Sequence, residues 1–444
     1  MAEITAAARK PLFYYGWVIV ALGFVTLGTA FGVWYSFSVF ILAIINEFQW
    51  SRAAASSIFS TFIFAQALMN PVTGYLQDRF GPRVIIPVGT LVVALALFLT
   101  SHAQSLWHFN LAYGVLAGAG ISLMGFASHA AFIPKWFERK RGLALGITMA
   151  GIGFGMLFLI PLVERWISSF GWRTTYLYLA LMVLVALGPL NLLLSRRSPQ
   201  DLNLLPDGDS DPDAPDNGRP APTMRLTVVD PQWAARSWTL GAALGTQRFW
   251  LLFLAFFCMA FSYQGILLHA VSAMVDQGLT RETAAYFFGI LGIAGSGGKI
   301  LFGYLSDLFG RERTVTLAGG IACIGILCLM FAGNAPSLLP LLFALLFGLG
   351  YGAAAPLLPS MCADIFLSKA FGLIFATIAI GGGMGGATGA YMAGLLRDVS
   401  NTYTTPMVVF IALLLLSCVL IRLAAPGQVR RMVRLKPQHE KEAP

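Results

Sequence analysis

The sequence predicts an all-α membrane protein of about twelve transmembrane helices, arranged as two pseudo-symmetric six-helix halves. Three observations predict it. Of the 444 residues, 57% are hydrophobic and only 11% charged. A soluble domain carries roughly 25% charged residues, so this chain has too little polar surface to face water all round. Apolar stretches also recur along the whole chain, and a bilayer crossing needs about 20 mainly apolar residues. Finally, a motif around Asp78 returns 229 residues later. The stretches are continuous rather than alternating, which selects helices over a β-barrel.

The first half takes residues 1–195, with helices expected near 14–45, 53–77, 82–102, 107–134, 142–166 and 174–195. The segment after Arg9 and Lys10 has no small-residue cleavage site and runs on too long for a signal peptide, so it reads as the first span. Residues 196–247 break the apolar pattern. Positions 199–222 are rich in Pro, Asp and Gly and cannot bury a core, so the segment reads as a linker. At its end, between Ser237 and Trp250, the spacing of Trp238, Leu240 and Leu244 predicts a short helix on the membrane surface. The second half takes residues 248–425, with helices near 248–275, 283–305, 314–332, 336–365, 370–395 and 404–424, and residues 426–444 form a basic tail.

The net charge of +9 does not mark a nucleic-acid binder, because the basic residues lie between apolar spans and form no continuous patch. They set orientation instead. With both termini inside, 22 of the 29 Lys and Arg residues fall on the cytoplasmic side. Arg52, Arg165, Arg173, Arg281 and Arg397 fall outside, and Lys299 and Arg422 lie within spans. The expected location is a cell membrane of the bacterial inner-membrane kind. The five cysteines (Cys258, Cys323, Cys328, Cys362 and Cys418) sit in apolar stretches without a C-x-x-C pair and read as small buried hydrophobes. Glycines stud the fifth and eleventh helices (Gly151, Gly153, Gly155; Gly381, Gly382, Gly385), where small residues let helices approach and slide. Neither run is followed by Lys-Ser/Thr, so a phosphate-binding loop is rejected. No nucleophile constellation, cofactor site or obligate protein partner is evident, and an enzyme is not expected.

Gly74-Tyr75-Leu76-Gln77-Asp78-Arg79-Phe80-Gly81 recurs as Gly303-Tyr304-Leu305-Ser306-Asp307-Leu308-Phe309-Gly310. The same 229-residue offset relates Arg52 to Arg281, Phe137 to Phe366 and Lys140 to Lys369. Several matches at one offset mean duplication. Two parallel halves around a midplane site is a transporter architecture.

The G-x-x-x-D-R-x-G stretch resembles the loop motif of the major facilitator superfamily. That resemblance implies its fold and a conformational latch at Gly74, Asp78, Arg79 and Gly81, with Gly303 and Asp307 as a second copy. Arg139 and Arg141 supply nearby positive charge. In the second copy Leu308 replaces the Arg, which predicts a weaker latch. Tyr35-Ser36-Phe37-Ser38-Val39-Phe40 resembles the helix 1 signature of monocarboxylate transporters, as does Trp50-Ser51-Arg52 at the start of helix 2. Lys135-Trp136-Phe137-Glu138-Arg139-Lys140-Arg141-Gly142-Leu143-Ala144 is similar to a loop shared by monocarboxylate and oxalate–formate transporters.

Lys299 is the first candidate for solute contact. It precedes Asp307 by eight residues, which is roughly 12 Å along a helix and well inside a hydrocarbon core of about 30 Å. No carboxylate is expected at that depth, so the counter-charge is an anionic solute; the rival reading is a lysine snorkelling to the cytoplasm. By the family resemblance Lys299 stands where monocarboxylate transporters carry a substrate-binding Arg, and Gly295 where they carry a proton-linked Asp. The charge is kept without the planar fork, and the acid is absent. His269 and His129 are the titratable candidates, for binding or proton transfer, with hydrogen-bonded packing as the alternative. Gln264, Tyr351, Asn70 and Gln66 are polar candidates at similar depth. Tyr35 falls, by resemblance, where some relatives use a helix 1 lysine.

The expected activity is therefore secondary transport of a small organic anion, a lactate- or pyruvate-like monocarboxylate, with a proton as implied co-substrate. The alternatives are an oxalate–formate type exchanger, a drug or metabolite exporter, and a transporter-fold nutrient sensor. A single deep cation argues against a dianion, and the lack of an intramembrane acid argues against a cationic drug.

Overall fold

The computed structural model describes residues 14–137, 141–202, 204–206, 224–334, 338–368 and 370–434. Ten helices among these residues are long and apolar enough to cross a membrane; one of them divides in two and a further pass is built from shorter pieces, which makes twelve passes. The apolar helical span Leu143–Leu194 is 52 residues long. Gly171 interrupts it with φ 78° and ψ 160°, which turns the chain and divides the span in two. Residues 106–136 make a further pass in pieces: a π-helical stretch over Asn110–Ala117, an α-helix over Gly118–Met124, an extended Gly125, and Phe126–Trp136.

We number the passes α1 (Gly16–Phe48), α2 (Arg52–Phe80), α3 (Pro82–Ser101), α4 (106–136), α5 (141–170) and α6 (172–194). The second half comprises α7 (Gln247–Asp276), α8 (Arg281–Phe309), α9 (Arg311–Met330), α10 (Leu338–Phe366), α11 (Phe371–Ser400) and α12 (Thr404–Ala424). The expected twelve spans are all present, with ends displaced by a few residues.

The duplication governs helix ends as well as helix number. Ser51 caps α2 by accepting from the Ala54 amide, and its repeat counterpart Thr280 caps α8 by accepting from the Thr283 amide. At the far ends Gly81 (φ 77°) and Gly310 (φ 88°) sit in the left-handed region and reverse the chain into α3 and α9. A side chain is strained there, which is the physical reason the loop motif closes on glycine. Each half is then packed tightly. A Cβ at Gly155 of α5 would overlap the Gly28 carbonyl of α1, and one at Gly385 of α11 would overlap the Phe257 carbonyl of α7. The halves meet along α2–α11, α5–α8 and α1–α7.

The linker and tail differ from expectation. The surface helix is confined to Leu240–Leu244, and Thr246 caps α7 immediately after it. Trp238 is only 2% exposed and packs against Trp233 and Phe366. Its indole finds protein at the end of α10 instead of lipid. Trp233 Nε1 donates to the Ile365 carbonyl at 3.0 Å, and Arg430 donates to the Asp364 carbonyl at 2.9 Å. A strand β1 (Met224–Val228) from the linker pairs antiparallel with β2 (Arg430–Arg434) from the tail. Linker and tail thus close on each other beneath the C-terminal half.

Candidate functional site

A cavity of about 410 Å³ lies between the halves. α1 contributes Phe31, Trp34 and Tyr35, α2 contributes Gln66 and Asn70, and α4 contributes Ser122. From the other half come Tyr263 and Gln264 of α7, Lys299 of α8, Tyr351 of α10 and Phe375 of α11. The 229-residue offset holds here too: Tyr35 corresponds to Gln264, Asn70 to Lys299 and Ser122 to Tyr351, and all six line the cavity. Duplicated helices related by a pseudo-twofold axis present the same positions to the same space.

The polar groups differ in how far they are satisfied. The Tyr35 and Tyr351 hydroxyls are 2.8 Å apart and join the halves. Gln264 lies beside the Tyr35 hydroxyl, and its Oε1 is buried without a partner. Asn70 Oδ1 accepts from Ser122 Oγ at 2.8 Å. Lys299 has no ion-pair or hydrogen-bond partner among the described residues, and no described acid lines the cavity. An uncompensated ammonium in such a place is costly and favours an anion beside it.

The acids are engaged elsewhere. Glu47 pairs with Arg173, while Asp307 and Asp364 share Arg311 at 2.7 and 3.3 Å. Asp276 accepts from Arg52 and from Arg397. Glu164 is 1% exposed and keeps one oxygen unpartnered, but lies outside the cavity.

One end of the cavity is sealed. Asp276 of α7 joins Arg52 of α2 at 2.8 Å and Arg397 of α11 at 3.0 Å. Asp398 of α11 accepts from the Arg52 and Ala53 amides at 3.1 and 2.8 Å, which places a carboxylate at the positive N-terminus of a helix from the other half. Arg52 also donates to the Tyr403 hydroxyl. At the opposite end, near Gly81 and Gly310, no ion pair joins the halves among the described residues.

Lys299, Tyr35, Gln264, Tyr351, Asn70 and Gln66 are therefore brought together. His269 and His129 are not. His269 follows Gln264 by five residues, which rotates it about 140° around the helix. Its ring contacts Tyr403 OH at 3.0 Å, Ser56 Oγ at 3.0 Å and the Ala390 carbonyl at 3.2 Å, within the sealed end. His129 is buried against Phe132, with Nδ1 on the Gly125 carbonyl at 2.9 Å. Helix rotation turns His269 away from the site, whereas His129 lies roughly two turns beyond Ser122, past the break at Gly125.

Of the latch residues, Arg79 donates to Tyr75 OH at 3.2 Å, and Asp307 pairs with Arg311 inside its own half. Arg139 and the side chains of Asp78 and Arg141 lie outside the described residues. Sequence reasoning missed Ser122, Phe31, Trp34 and Phe375. Ser122 was recoverable from the offset to Tyr351; the aromatic residues carry no signal that sets them apart from core.

A two-half helical bundle with a central cavity sealed at one end is built as a membrane transporter. The model of the Major Facilitator Superfamily matches residues 22–366 and 298–444, and the chain belongs to that superfamily. Monocarboxylate transporter 13 of Rattus norvegicus is 27% identical over 403 residues, covering 90% of this chain and 87% of the relative. The oxalate:formate antiporter of Oxalobacter formigenes is 27% identical over 436 residues, covering 96% of each. Among solved structures, an inward-facing bacterial homologue of the lysosomal transporter Spinster superposes with TM-score 0.69 at 16% identity, covering 95% of this chain and 98% of that one. A D-xylose–proton symporter superposes with TM-score 0.65 at 17% identity, covering 92% and 97%.

Proposed function

We propose that the chain is a secondary transporter of a small organic monoanion, a monocarboxylate, and not an enzyme. Transport proceeds by alternating access, with the halves rocking about the central cavity. Lys299, unpartnered in a cavity shared by both halves, carries this reading. Its ammonium holds the carboxylate. Asn70, Gln264, Tyr35 and Tyr351 orient the remainder. The Arg52 end faces outward and both termini face the cytoplasm, in agreement with the distribution of Lys and Arg. The Gly81 end is then the open one.

Coupling to a proton is the energy source we favour, as the resemblance of the helix 1 and helix 2 motifs to monocarboxylate transporters implies. Gly295 leaves the cavity without an acid, so the proton travels with the solute as the neutral acid or on a group outside the cavity. Exchange against a second anion is the other reading, supported by the full-length similarity to the oxalate:formate antiporter. Uptake of labelled lactate and pyruvate into proteoliposomes, with and without an inward proton gradient, tests both. Gradient-stimulated uptake that Lys299→Ala abolishes is expected. Uptake stimulated only by internal anion selects exchange, and normal uptake by the variant rejects the role of Lys299.

A further inference from the structure

We infer that the preferred solute is a monocarboxylate with a ring-sized apolar body, of the aryl-lactate or aryl-pyruvate type, rather than a short-chain acid. This rests on the monoanion reading above. The cavity measures about 410 Å³. Water takes ~30 Å³ per molecule, so such a space holds on the order of a dozen waters. A lactate-sized acid docked on Lys299 would displace only a few of them and leave apolar walls wet. Both halves contribute aromatic rings to those walls. Phe31 stacks on Trp34 with ring centroids 5.0 Å apart, and Phe256, Tyr263 and Phe375 line the opposite half.

The polar lining narrows the choice further, because part of it is already engaged within the protein. The Asn70 oxygen accepts from Ser122, Tyr35 and Tyr351 share one hydrogen bond, and the Tyr263 hydroxyl reaches the Gly350 carbonyl at 3.4 Å. What remains is one ammonium, the Asn70, Gln66 and Gln264 amides, one tyrosine hydroxyl, and carbon. The complementary ligand has one negative charge, one small polar group such as a 2-hydroxyl or 2-oxo group, and an apolar body. A sugar would set hydroxyls against aromatic rings. A dianion would bring a second charge with no described cation to meet it.

Binding to the purified full-length protein in lipid nanodiscs, followed by isothermal titration, separates the possibilities with two matched pairs. These are lactate against 3-phenyllactate and pyruvate against phenylpyruvate, which differ only in the ring. The phenyl acid is expected to bind at least about tenfold tighter in each pair. Phe375→Ala is expected to narrow that ratio. Equal affinities, or tighter binding of the short acids, overturn the inference; if that binding still requires Lys299, the monoanion reading stands. Binding of neutral 3-phenylpropan-1-ol as tightly as the phenyl acids overturns it as well, since the ring alone would then suffice. If none of the four acids binds, both readings fall together.

Discussion

At the repeat-related positions Asn70 and Lys299, the N-terminal half meets the cavity with a neutral amide and the C-terminal half with an ammonium. The amide oxygen accepts locally from Ser122, and the ammonium has no described partner. At the ends of α2 and α8 the halves agree. Ser51 and Thr280 cap α2 and α8, and Gly81 and Gly310 turn the chain at positive φ. Positions that set the backbone stay alike because the same helix ends must be made twice. Positions that face the cavity are free to diverge, and their divergence gives a symmetric frame an asymmetric site. In the function proposed above, a carboxylate docks on α8 and the N-terminal half closes over the rest of the solute.

Removal of the odd charge is expected to have the largest effect. Lys299→Ala makes the two walls equally neutral. Loss of one partner from a buried charge pair costs roughly 2–5 kcal/mol, so monocarboxylate affinity should fall by about 30-fold or more. Titration of the nanodisc-embedded variant checks this, with an unchanged size-exclusion profile confirming the fold. A fall of only two- or threefold would mean that the anion lies elsewhere.

The converse substitution equalises the walls the other way. Asn70→Lys puts an ammonium opposite Lys299 and gives the cavity two positive charges. The ratio of dicarboxylate to monocarboxylate affinity should rise by about tenfold, the scale of one interaction of 1.4 kcal/mol. Competition of oxalate against labelled monocarboxylate reads it. An unchanged ratio would show that positions 70 and 299 do not address one ligand.

A second contrast runs along the membrane normal. At the Arg52 end, Asp276 and Asp398 tie the halves together; near Gly310, Asp307 and Asp364 pair with Arg311 within one half. Asp276→Asn should therefore open the Arg52 end, whereas Asp307→Asn should not. Partly exposed ion pairs are worth about 0.2–1 kcal/mol each, and of the two Asp276 pairs only that with Arg52 crosses between the halves, so its loss predicts a shift of a fewfold. The readout is the labelling rate of Ser56→Cys by an impermeant thiol reagent, in a background whose five cysteines are replaced by Ala. Equal rates in the two carboxylate variants would mean that Asp276 is not what holds that end.

The frame was legible in the sequence because it rests on repeated, period-bound signals: apolar length, the Gly74–Gly81 motif, and a single offset. Lys299 was legible because a charge in a long apolar run has few explanations. His269 and His129 show where such reasoning stops. Composition gives depth, but the direction a side chain faces depends on packing, and five residues beyond Gln264 the helix has turned His269 toward Ser56 and Tyr403. The cavity aromatics were hidden for a different reason. Phe31, Trp34 and Phe375 look like the many rings that fill the core, and only the space beside them distinguishes them. The sealed end was hidden because its carboxylates meet partners more than two hundred residues away in sequence, as Asp276 meets Arg52.

The smallest expected effect comes from the one place where both halves supply the same group. Tyr35 and Tyr351 place hydroxyls 2.8 Å apart across the cavity, one acting as donor and the other as acceptor. Tyr35→Phe removes one hydroxyl and leaves both rings. A typical hydrogen bond contributes about 1 kcal/mol net, so affinity should change by about fivefold. The direction separates two roles. If the pair only bridges the halves, Tyr35→Phe and Tyr351→Phe should have equal effects, and the double variant should add nothing further. If Tyr35 also donates to the bound carboxylate, its loss should weaken binding more than loss of Tyr351, and the double variant should match Tyr35→Phe alone. Titration of the two single variants and the double variant with one monocarboxylate completes the cycle. A larger loss for Tyr35→Phe than for Tyr351→Phe would place Tyr35 beside Lys299 as the N-terminal half's own contribution to holding the anion.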